Sequence, residues 1–133
     1  MQTMQQFVEK HAISVRVKRL ADGKEHGAVM RRFNITLIRG DDNTEVRPVM
    51  DVPFFQGMAW TTEPTAAEVL NALPLDASGG NMLYAEWCSE YGYDADGGWS
   101  WTIFTRVQEI TAKLRGFLTA EQFDELITDT ETL

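Results

Sequence analysis

The chain has few of the residues that build disulfides or metal centres. It contains one cysteine and two histidines in 133 residues. A single cysteine excludes an intramolecular disulfide, so nothing in the sequence indicates an oxidising compartment. Cys88, His11 and His26 are the only soft metal ligands, and no two of them are three or four residues apart. The sequence therefore predicts no metal site and no cofactor.

Long apolar runs are also missing. No run approaches the roughly 18 apolar residues of a membrane span, so we expect no contact with a membrane. The opening segment, MQTMQQFVEKHAI, lacks the basic start and apolar centre of a secretory signal. These absences favour a cytoplasmic location.

Basic residues are scarce in the second part of the chain. Residues 1–50 hold nine Lys and Arg and six Asp and Glu, a net charge of +3, whereas residues 51–133 hold three and fourteen, a net charge of −11. The whole chain has a net charge of −8. An acidic surface repels phosphate groups, so we expect no direct nucleic-acid binding. We interpret the basic residues of the first part, which are spread along predicted strands, as solvated strand faces.

The first part of the chain has the pattern of strands. The run ISVRVKRL alternates with period 2, and the runs MRRFNITLIRG and TEVRPVMDVPFF are joined by GDDN in the manner of a hairpin. Residues 3–11 predict a short helix before these strands, with Thr3 as its N-cap. Pro48 and Pro53 cannot donate a backbone hydrogen bond, so we expect the last strand at a sheet edge or broken by a bulge.

The second part has the pattern of helices. The run TAAEVLNAL opens with a capping box and is predicted to end at Pro74, and LDASGG is predicted to be a connector. The run NMLYAEWCSEYG predicts a second helix that Gly92 closes. An apolar stripe from Trp99 to Phe117 is typical of a long helix of about five turns. The run TAEQFDELI repeats the capping box, and the tail TDTETL is predicted to fray.

Strands followed by helices predict an α+β fold rather than alternating α/β. At this length we expect a single domain over residues 1–133, mainly β over 1–60 and mainly α over 61–133. The predicted architecture is a small N-terminal antiparallel sheet of about three strands, preceded by a short helix. It packs with a C-terminal bundle of about four helices.

The stretch YAEWCSEYGYDADGGWSW, residues 84–101, holds the candidate functional residues. Its DADGG segment begins like a calcium loop. Counted from Asp94, however, position 5 is a glycine and position 12 is Thr105, so the EF-hand pattern fails. We interpret the segment as a turn between two helices, with Asp96 as the candidate N-cap of the second.

Two groups in this stretch have side chains suited to catalysis. Glu86 and Glu90 are four residues apart, so their carboxylates share one helix face and could do acid–base work if burial separated their pKa values. Cys88 could act as a nucleophile if the fold brought a histidine to it. Solvated glutamates and a small buried cysteine are the commoner structural explanations. A non-enzymatic protein is the leading hypothesis, and an enzyme that uses Cys88 or the glutamate pair is an alternative.

The acidic and aromatic residues of the stretch together indicate a binding surface. Carboxylates at helical spacing lie about 5–6 Å apart, comparable to the phosphates along a nucleic acid, which suits docking on a basic groove. Trp101 lies off the apolar stripe of the long helix, so it is the candidate exposed anchor. The candidate contact residues are Glu86, Glu90, Asp94, Asp96 and Trp101. A net charge of this size also serves solubility alone, which is the simpler explanation of the acidic face.

About half of the chain resembles a family of small bacteriophage and prophage accessory proteins of unassigned function. The matching segments are PFFQG (53–57), EPTAAEVLNAL (63–73), LDAS (75–78), AEWCSEYGYDAD (85–96) and KLRGFL (113–118). The family tends to carry a polar, basic stretch where this chain has GGWSW (97–101). The corner between the two helices is therefore more hydrophobic here.

The resemblance implies a phage protein that acts in the cytoplasm of a bacterial host, and it carries over no catalytic residue. By analogy with other small acidic phage proteins, we expect a non-enzymatic, anti-CRISPR-like inhibitor. Its partner would be a bacterial protein or ribonucleoprotein effector complex, bound through the acidic and aromatic surface. The alternative is a small structural or regulatory phage protein that self-associates, for example as a homodimer.

Overall fold

The computed structural model describes residues 1–25, 28–53 and 64–131, and it confirms the α+β fold. Helix α1 (Met4–Lys10) precedes a sheet of β1 (Ile13–Arg19), β2 (Gly23–Glu25), β3 (Ala28–Arg39), β4 (Glu45–Val46) and β5 (Val49–Pro53). The helical region contains α2 (Ala66–Asn71), α3 (Leu73–Gly79), α4 (Tyr84–Tyr91), α5 (Gly98–Phe117) and α6 (Ala120–Thr128). His26, Glu63 and the PFFQG segment after Pro53 lie outside the described residues.

Strand β3 is the centre of the antiparallel sheet. Its residues 33–39 pair with β1 and its residues 28–30 with β2. Its residues 30–34 pair with β5 and its residues 37–38 with β4. Residues 37 and 38 pair with both β1 and β4, so these two strands lie on opposite edges of β3. The sheet is thus a three-stranded meander. One outer strand consists of β1 and β2 with a break between them, and the other consists of β4 and β5, also with a break. This is close to the prediction of about three strands.

The interruption between β4 and β5 falls at the predicted proline. Pro48 has no N–H to donate, but its carbonyl accepts a hydrogen bond from the backbone N–H of Ile35 at 3.0 Å. The register therefore continues through the break. At the preceding GDDN hairpin, Asn43 adopts φ 59°, a left-handed conformation that Asn tolerates. Asp42 Oδ1 accepts a hydrogen bond from the Thr44 N–H at 2.9 Å, which lowers the pKa of Asp42.

Three helices begin with a complete capping box. In each box the threonine hydroxyl accepts a hydrogen bond from the backbone N–H three residues later, and the side chain of that later residue accepts one from the threonine N–H. The pairs are Thr3 with Gln6 at α1, Thr65 with Glu68 at α2, and Thr119 with Gln122 at α6. The caps predicted at these three threonines are confirmed.

Four local predictions are wrong. Helix α2 ends at Asn71, and Pro74 lies in the first turn of α3, where its missing N–H leaves no helical hydrogen bond unmade. The LDASGG segment is therefore mostly helical rather than a connector. Asp96 does not cap α5, because that helix begins one residue later, with Gly97 as N-cap and no side-chain cap.

The fourth wrong prediction concerns the C-terminal tail, which is paired rather than frayed as far as Glu131. The backbone N–H of Gln2 donates to the Asp129 carbonyl at 3.0 Å, and the N–H of Glu131 donates to the Gln2 carbonyl at 2.8 Å. Between these two bonds Thr130 is buried and forms a parallel bridge with Gln2. The beginning and the end of the described chain therefore lie side by side.

The core consists of two apolar clusters that α5 connects. The larger cluster joins the inner face of the sheet to α1, α2, α3 and α6, and its sheet residues include Phe33, Ile35 and Leu37. The smaller cluster consists of Met30, Trp87, Cys88, Ile103, Phe104 and Val107. The first half of α5 contributes to the smaller cluster and the second half, through Ile110, Leu114 and Phe117, to the larger one. This arrangement fixes the position of α4 and of the turn that follows it.

Helices α3 and α5 approach each other closely at a glycine. A Cβ atom on Gly80 would lie 1.9 Å from Thr111 Oγ1 and 2.7 Å from the Val107 carbonyl oxygen. The Thr111 hydroxyl is buried and lies 3.1 Å from the carbonyl oxygens of both Ala77 and Val107. The absent side chain of Gly80 therefore allows a polar contact between the two helices.

Candidate protein-interaction site

The stretch YAEWCSEYGYDADGGWSW forms α4, a tight turn and the start of α5. Gly92 ends α4 with φ 76°, the left-handed conformation predicted for it. In the turn, Asp94 Oδ1 accepts a hydrogen bond from the Asp96 N–H at 3.0 Å, and the Asp94 carbonyl accepts one from the Gly97 N–H at 3.0 Å. Both Asp94 and Asp96 are exposed. The predicted helix–turn–helix corner is thus present, with its two aspartates in the turn.

Trp87 lies at the centre of the aromatic residues in this corner. It is 3% exposed, and its ring is stacked on Tyr93 with centroids 4.4 Å apart and an interplanar angle of 12°. Its ring also packs against Phe104 at 5.2 Å and Tyr91 at 6.1 Å. Stacked and tilted ring pairs of this kind stabilise a fold beyond their area burial. Trp87 therefore holds α4, the turn and α5 together.

Trp101 is the exposed aromatic residue that the sequence predicts. Its side chain is 52% exposed, and its ring packs edge-on against Tyr84 at 5.0 Å. The Tyr84 hydroxyl donates to the Ala95 carbonyl at 3.0 Å, between Asp94 and Asp96. Tyr84 thus connects Trp101 directly to the turn that carries the two aspartates. The sequence gives no sign of this contact, because it joins residues from α4, the turn and α5.

Glu86 and Glu90 lie on the outer face of α4. Both are exposed, whereas Trp87 and Cys88 point into the smaller cluster. The two glutamates line a shallow open groove together with Met82, Ala85 and Ser89. The structure therefore groups the predicted contact residues in two sets. One is the groove on α4, and the other consists of Asp94, Asp96 and Trp101 around Tyr84.

Cys88 is buried, 3% exposed, in the smaller apolar cluster. His11 lies elsewhere, where its Nε2 is 3.0 Å from Glu125 Oε2.

Among residues 1–25, 28–53 and 64–131, no group of three or more His, Cys, Asp or Glu residues is placed to hold a metal ion. Within the same ranges no helix has the length and apolar character needed to cross a membrane.

The sequence does not predict the cleft that lies between α3, α4 and α5. It has a volume of about 250 Å³ and an aromatic wall of Trp87, Tyr91 and Tyr93. Its opposite wall is made of apolar side chains of α3 and α5, and Asp76 and Arg106 are its charged lining residues. The spacing of the three aromatics is the signal of the cleft in the sequence, whereas Asp76 falls in the segment predicted to be a connector.

Burial and nearby carboxylates act together on the two tyrosines of this cleft. Burial raises the pKa of the Tyr91 hydroxyl, and the carboxylates of Glu90 and Asp76 raise it further. Burial also raises the pKa of Tyr93, to which Asp76 adds. Both phenols therefore hold their protons more strongly than an ordinary tyrosine does.

Comparison with protein-family models, with curated proteins and with solved structures finds no match for the chain. The resemblance to phage accessory proteins thus stays a prediction.

Proposed function

We propose that the protein is a non-enzymatic binding protein that inhibits a bacterial defence complex in the manner of an anti-CRISPR protein. The observation that supports this most is Trp101, a half-exposed tryptophan held by Tyr84 beside two exposed aspartates. Large aromatic side chains of this kind are frequent hot spots of protein interfaces.

The physical advantage of this arrangement is preorganisation. Tyr84 restricts the Trp101 ring before any partner arrives, so less side-chain entropy is lost on binding. The Asp94 carboxylate is held by the backbone N–H of Asp96, and the carboxylates of Glu86 and Glu90 project from one helix face. Acidic groups around an aromatic anchor complement a basic partner surface and speed its association.

The proposed partner is a protein or ribonucleoprotein effector complex in the bacterial cytoplasm. Such complexes hold nucleic acid in basic grooves, and a surface of spaced carboxylates competes for the same cations. Because the contact is electrostatic at its rim, its affinity falls as the salt concentration rises. In this proposal the protein blocks the groove by occupying it, and no step of catalysis is needed.

The test is a pull-down with the tagged protein from a bacterial lysate that contains an active CRISPR system, at low and high salt. We expect capture of an effector subunit that fades with salt. Trp101→Ala should weaken binding by about thirtyfold or more, because truncation of a hot-spot residue costs at least about 2 kcal/mol. Glu86→Lys/Glu90→Lys should reduce it as well, through charge repulsion.

The matched control is Glu109→Lys/Asp124→Lys, which makes the same change in net charge at two exposed positions of α5 and α6. This control should retain capture if the α4–α5 corner is the site. Equal losses in both double variants would show that only net charge matters. Unchanged capture by Glu86→Lys/Glu90→Lys would remove the glutamates from the site.

Self-association is the second candidate function, and the exposed apolar side chains favour it. Leu83, the N-cap residue of α4, is 71% exposed, and Trp101 is also largely exposed. A homodimer could cover both. Light scattering over a range of protein concentrations separates the two candidates, because only self-association raises the mean mass with concentration.

A further inference from the structure

We propose that the open edge of strand β1 binds an acidic, extended segment of a partner protein as an additional antiparallel strand. The edge belongs to the sheet rather than to the α4–α5 corner, so this binding activity is independent of the proposed function. Three features of β1 support it, namely its hydrogen-bond register, its half-buried valines and its two unpaired basic side chains.

The backbone of β1 alternates between groups that bond to β3 and groups that face outward. At one end of the pair the Gly40 N–H donates to the Ala12 carbonyl at 2.9 Å, and at the other the Leu20 N–H donates to the Arg32 carbonyl at 2.8 Å. Because every second residue of an antiparallel pair bonds to the neighbouring strand, the even-numbered residues from 12 to 20 face β3. The N–H and carbonyl groups of the odd-numbered residues therefore point to the opposite edge.

The outward backbone groups of Val15 and Val17 are unbonded. On the far side of β3 the same alternation is satisfied, since the Ile35 N–H donates to the Pro48 carbonyl at 3.0 Å. On the outer side of β1, no residue in the described part of the chain accepts from the N–H groups of Val15 and Val17 or donates to their carbonyls. A strand edge of this kind is a template to which extended peptides add.

The side chains along this edge form one apolar and one basic face. Val15 and Val17 are half-buried against the larger cluster, so an added strand can extend the apolar face of the sheet. Arg16 and Lys18 point to the other face, where both are exposed and neither forms an ion pair in the described structure. The third cation of β1, Arg19, already forms a salt bridge. Two unpaired positive charges thus lie about 7 Å apart beside the open backbone.

These charges favour an acidic strand over a second copy of this chain. Opposite charges on directly opposed residues of neighbouring strands attract, and like charges repel. Two β1 strands paired about Val17 would place Arg16 opposite Lys18, so like charges disfavour that dimer. In a segment that alternates acidic with apolar residues, the carboxylates repeat at the same spacing of about 7 Å and meet both cations. The apolar residues between them pack beside the valines.

The first test is an NMR titration of the full chain with the peptide acetyl-Ser-Val-Glu-Val-Glu-Val-Ser-amide. In the free protein we expect fast hydrogen exchange at the N–H groups of Val15 and Val17 and slow exchange at those of Arg16 and Lys18. At a peptide concentration of ten times the dissociation constant, exchange at the two valines should slow by about tenfold. The same peptide with Gln in place of both Glu should bind about fivefold more weakly, because two charge pairs are lost.

Two methylated peptides test whether the ligand binds as a strand. In an antiparallel pair, the N–H groups of the peptide valines face β1, whereas those of its glutamates face away. An N-methyl group on the central valine should therefore weaken binding by about fivefold or more, since it removes a hydrogen bond and adds bulk at the edge. The same group on the following glutamate should leave the affinity unchanged.

Two double variants of the protein locate the binding. Arg16→Gln/Lys18→Gln should weaken binding of the acidic peptide by about fivefold and leave that of the glutamine peptide unchanged. Gln108→Glu/Ala112→Glu makes the same change in net charge at two exposed positions of α5, and it should retain the wild-type affinity. The NMR spectra of the variants report directly whether each one is folded.

Several results would overturn the added strand. They are no binding of the acidic peptide, equal binding of the acidic and glutamine peptides, an equal or reversed effect of the two methyl groups, and slow exchange at Val15 and Val17 in the free chain. Slow exchange that depends on protein concentration would assign the edge to a second copy. Peptide binding without capture of an effector would count against the proposed function alone, and capture of an effector without peptide binding would count against the added strand alone.

Discussion

At the scale of single residues, Glu125 connects the two ends of the chain. Its carboxylate accepts hydrogen bonds from Gln2 Nε2 at 2.6 Å, Lys10 Nζ at 2.9 Å and His11 Nε2 at 3.0 Å. Partial burial alone would raise the pKa of Glu125. The hydrogen bonds from these three side chains and the charge of His11 outweigh it and lower the pKa to about 2.

The neighbouring amide fixes the orientation of the His11 ring. Gln122 Oε1 accepts the Thr119 N–H at 3.0 Å in the capping box, so the Gln122 Nε2 group faces His11 Nδ1 at 3.3 Å. In the neutral ring Nδ1 therefore accepts a hydrogen bond, and Nε2 carries the proton that is donated to Glu125. A helix cap of α6 thus controls the tautomer of a histidine at the end of α1.

Replacing Glu125 should change the acid stability of the protein. Because the folded-state pKa is lowered, ionised Glu125 stabilises the fold above its ordinary pKa near 4.5, and this contribution is lost as the pH falls towards 2. We expect Glu125→Gln to lower the free energy of unfolding by about 1–3 kcal/mol at pH 7 and to flatten its decline below pH 5. Urea unfolding at a series of pH values measures both effects.

Asp124→Asn is the control for this experiment, since Asp124 is exposed on the same helix. It should leave the acid dependence of stability as in the wild type. If Glu125→Gln declined between pH 5 and pH 2 as steeply as the wild type, the role assigned to the Glu125 hydrogen bonds would be wrong.

At the scale of elements, the contact between α3 and α5 depends on Gly80. A Cβ there would overlap Thr111 Oγ1 and press on the backbone of Val107, so the helices would have to move apart. We expect Gly80→Ala to lower the free energy of unfolding by about 1–3 kcal/mol, as other overpacked sites do. Thermal or urea unfolding measures the change.

Gly116→Ala makes the same chemical change inside α5 at a position with no atom within 4 Å of the added Cβ. This variant should stabilise the protein by up to about 1 kcal/mol, because alanine has the higher helix propensity. The opposite signs of the two substitutions are the prediction. A stable Gly80→Ala variant would mean that α3 and α5 can move apart at little cost.

The elements also show which structural signals are local. The capping boxes and the stripe of α5 were predictable, because each depends on residues within one or two turns. Pro74 was misread because a proline is equally compatible with the end of one helix and the first turn of the next. The pairing of Thr130 with Gln2 was not predictable, since no local pattern marks a bridge between distant parts of a chain.

The candidate site is predictable to a similar extent. The exposure of Glu86, Glu90 and Trp101 follows from their positions relative to the apolar stripes, and the structure places them as expected. The contact of Trp101 with Tyr84 and the cleft beside Asp76 depend on how three helices meet. Contacts between helices are determined by packing over the whole core, so no pattern within a single segment predicts them.

At the scale of the whole molecule, α5 connects the two apolar clusters mechanically. Leu114 is fully buried in the larger cluster, whereas Trp87 is buried in the smaller one. We expect Leu114→Ala to lower the free energy of unfolding by about 2–5 kcal/mol, the usual cost of such a cavity. Because α5 packs in both clusters, we expect the smaller cluster to be destabilised as well. The whole chain should then unfold in one transition.

Two probes measured on the same samples test this coupling. The indole N–H signal of Trp87 reports the smaller cluster, and far-ultraviolet circular dichroism reports the overall secondary structure. Both should shift to the same lower urea midpoint in Leu114→Ala. A Trp87 transition that kept its wild-type midpoint would show that the helical corner unfolds independently of the sheet.

The bridge between Gln2 and Thr130 makes the backbone nearly a closed ring. A short flexible linker could join the two ends, and the chain could instead be opened in the exposed hairpin turn at residues 41–43, where no helix or strand would be cut. In such a circular permutant, synthesis would begin at β4, continue through the helices and finish with β3. The order in which the sheet and the helices are synthesised could therefore be changed while the fold stays the same.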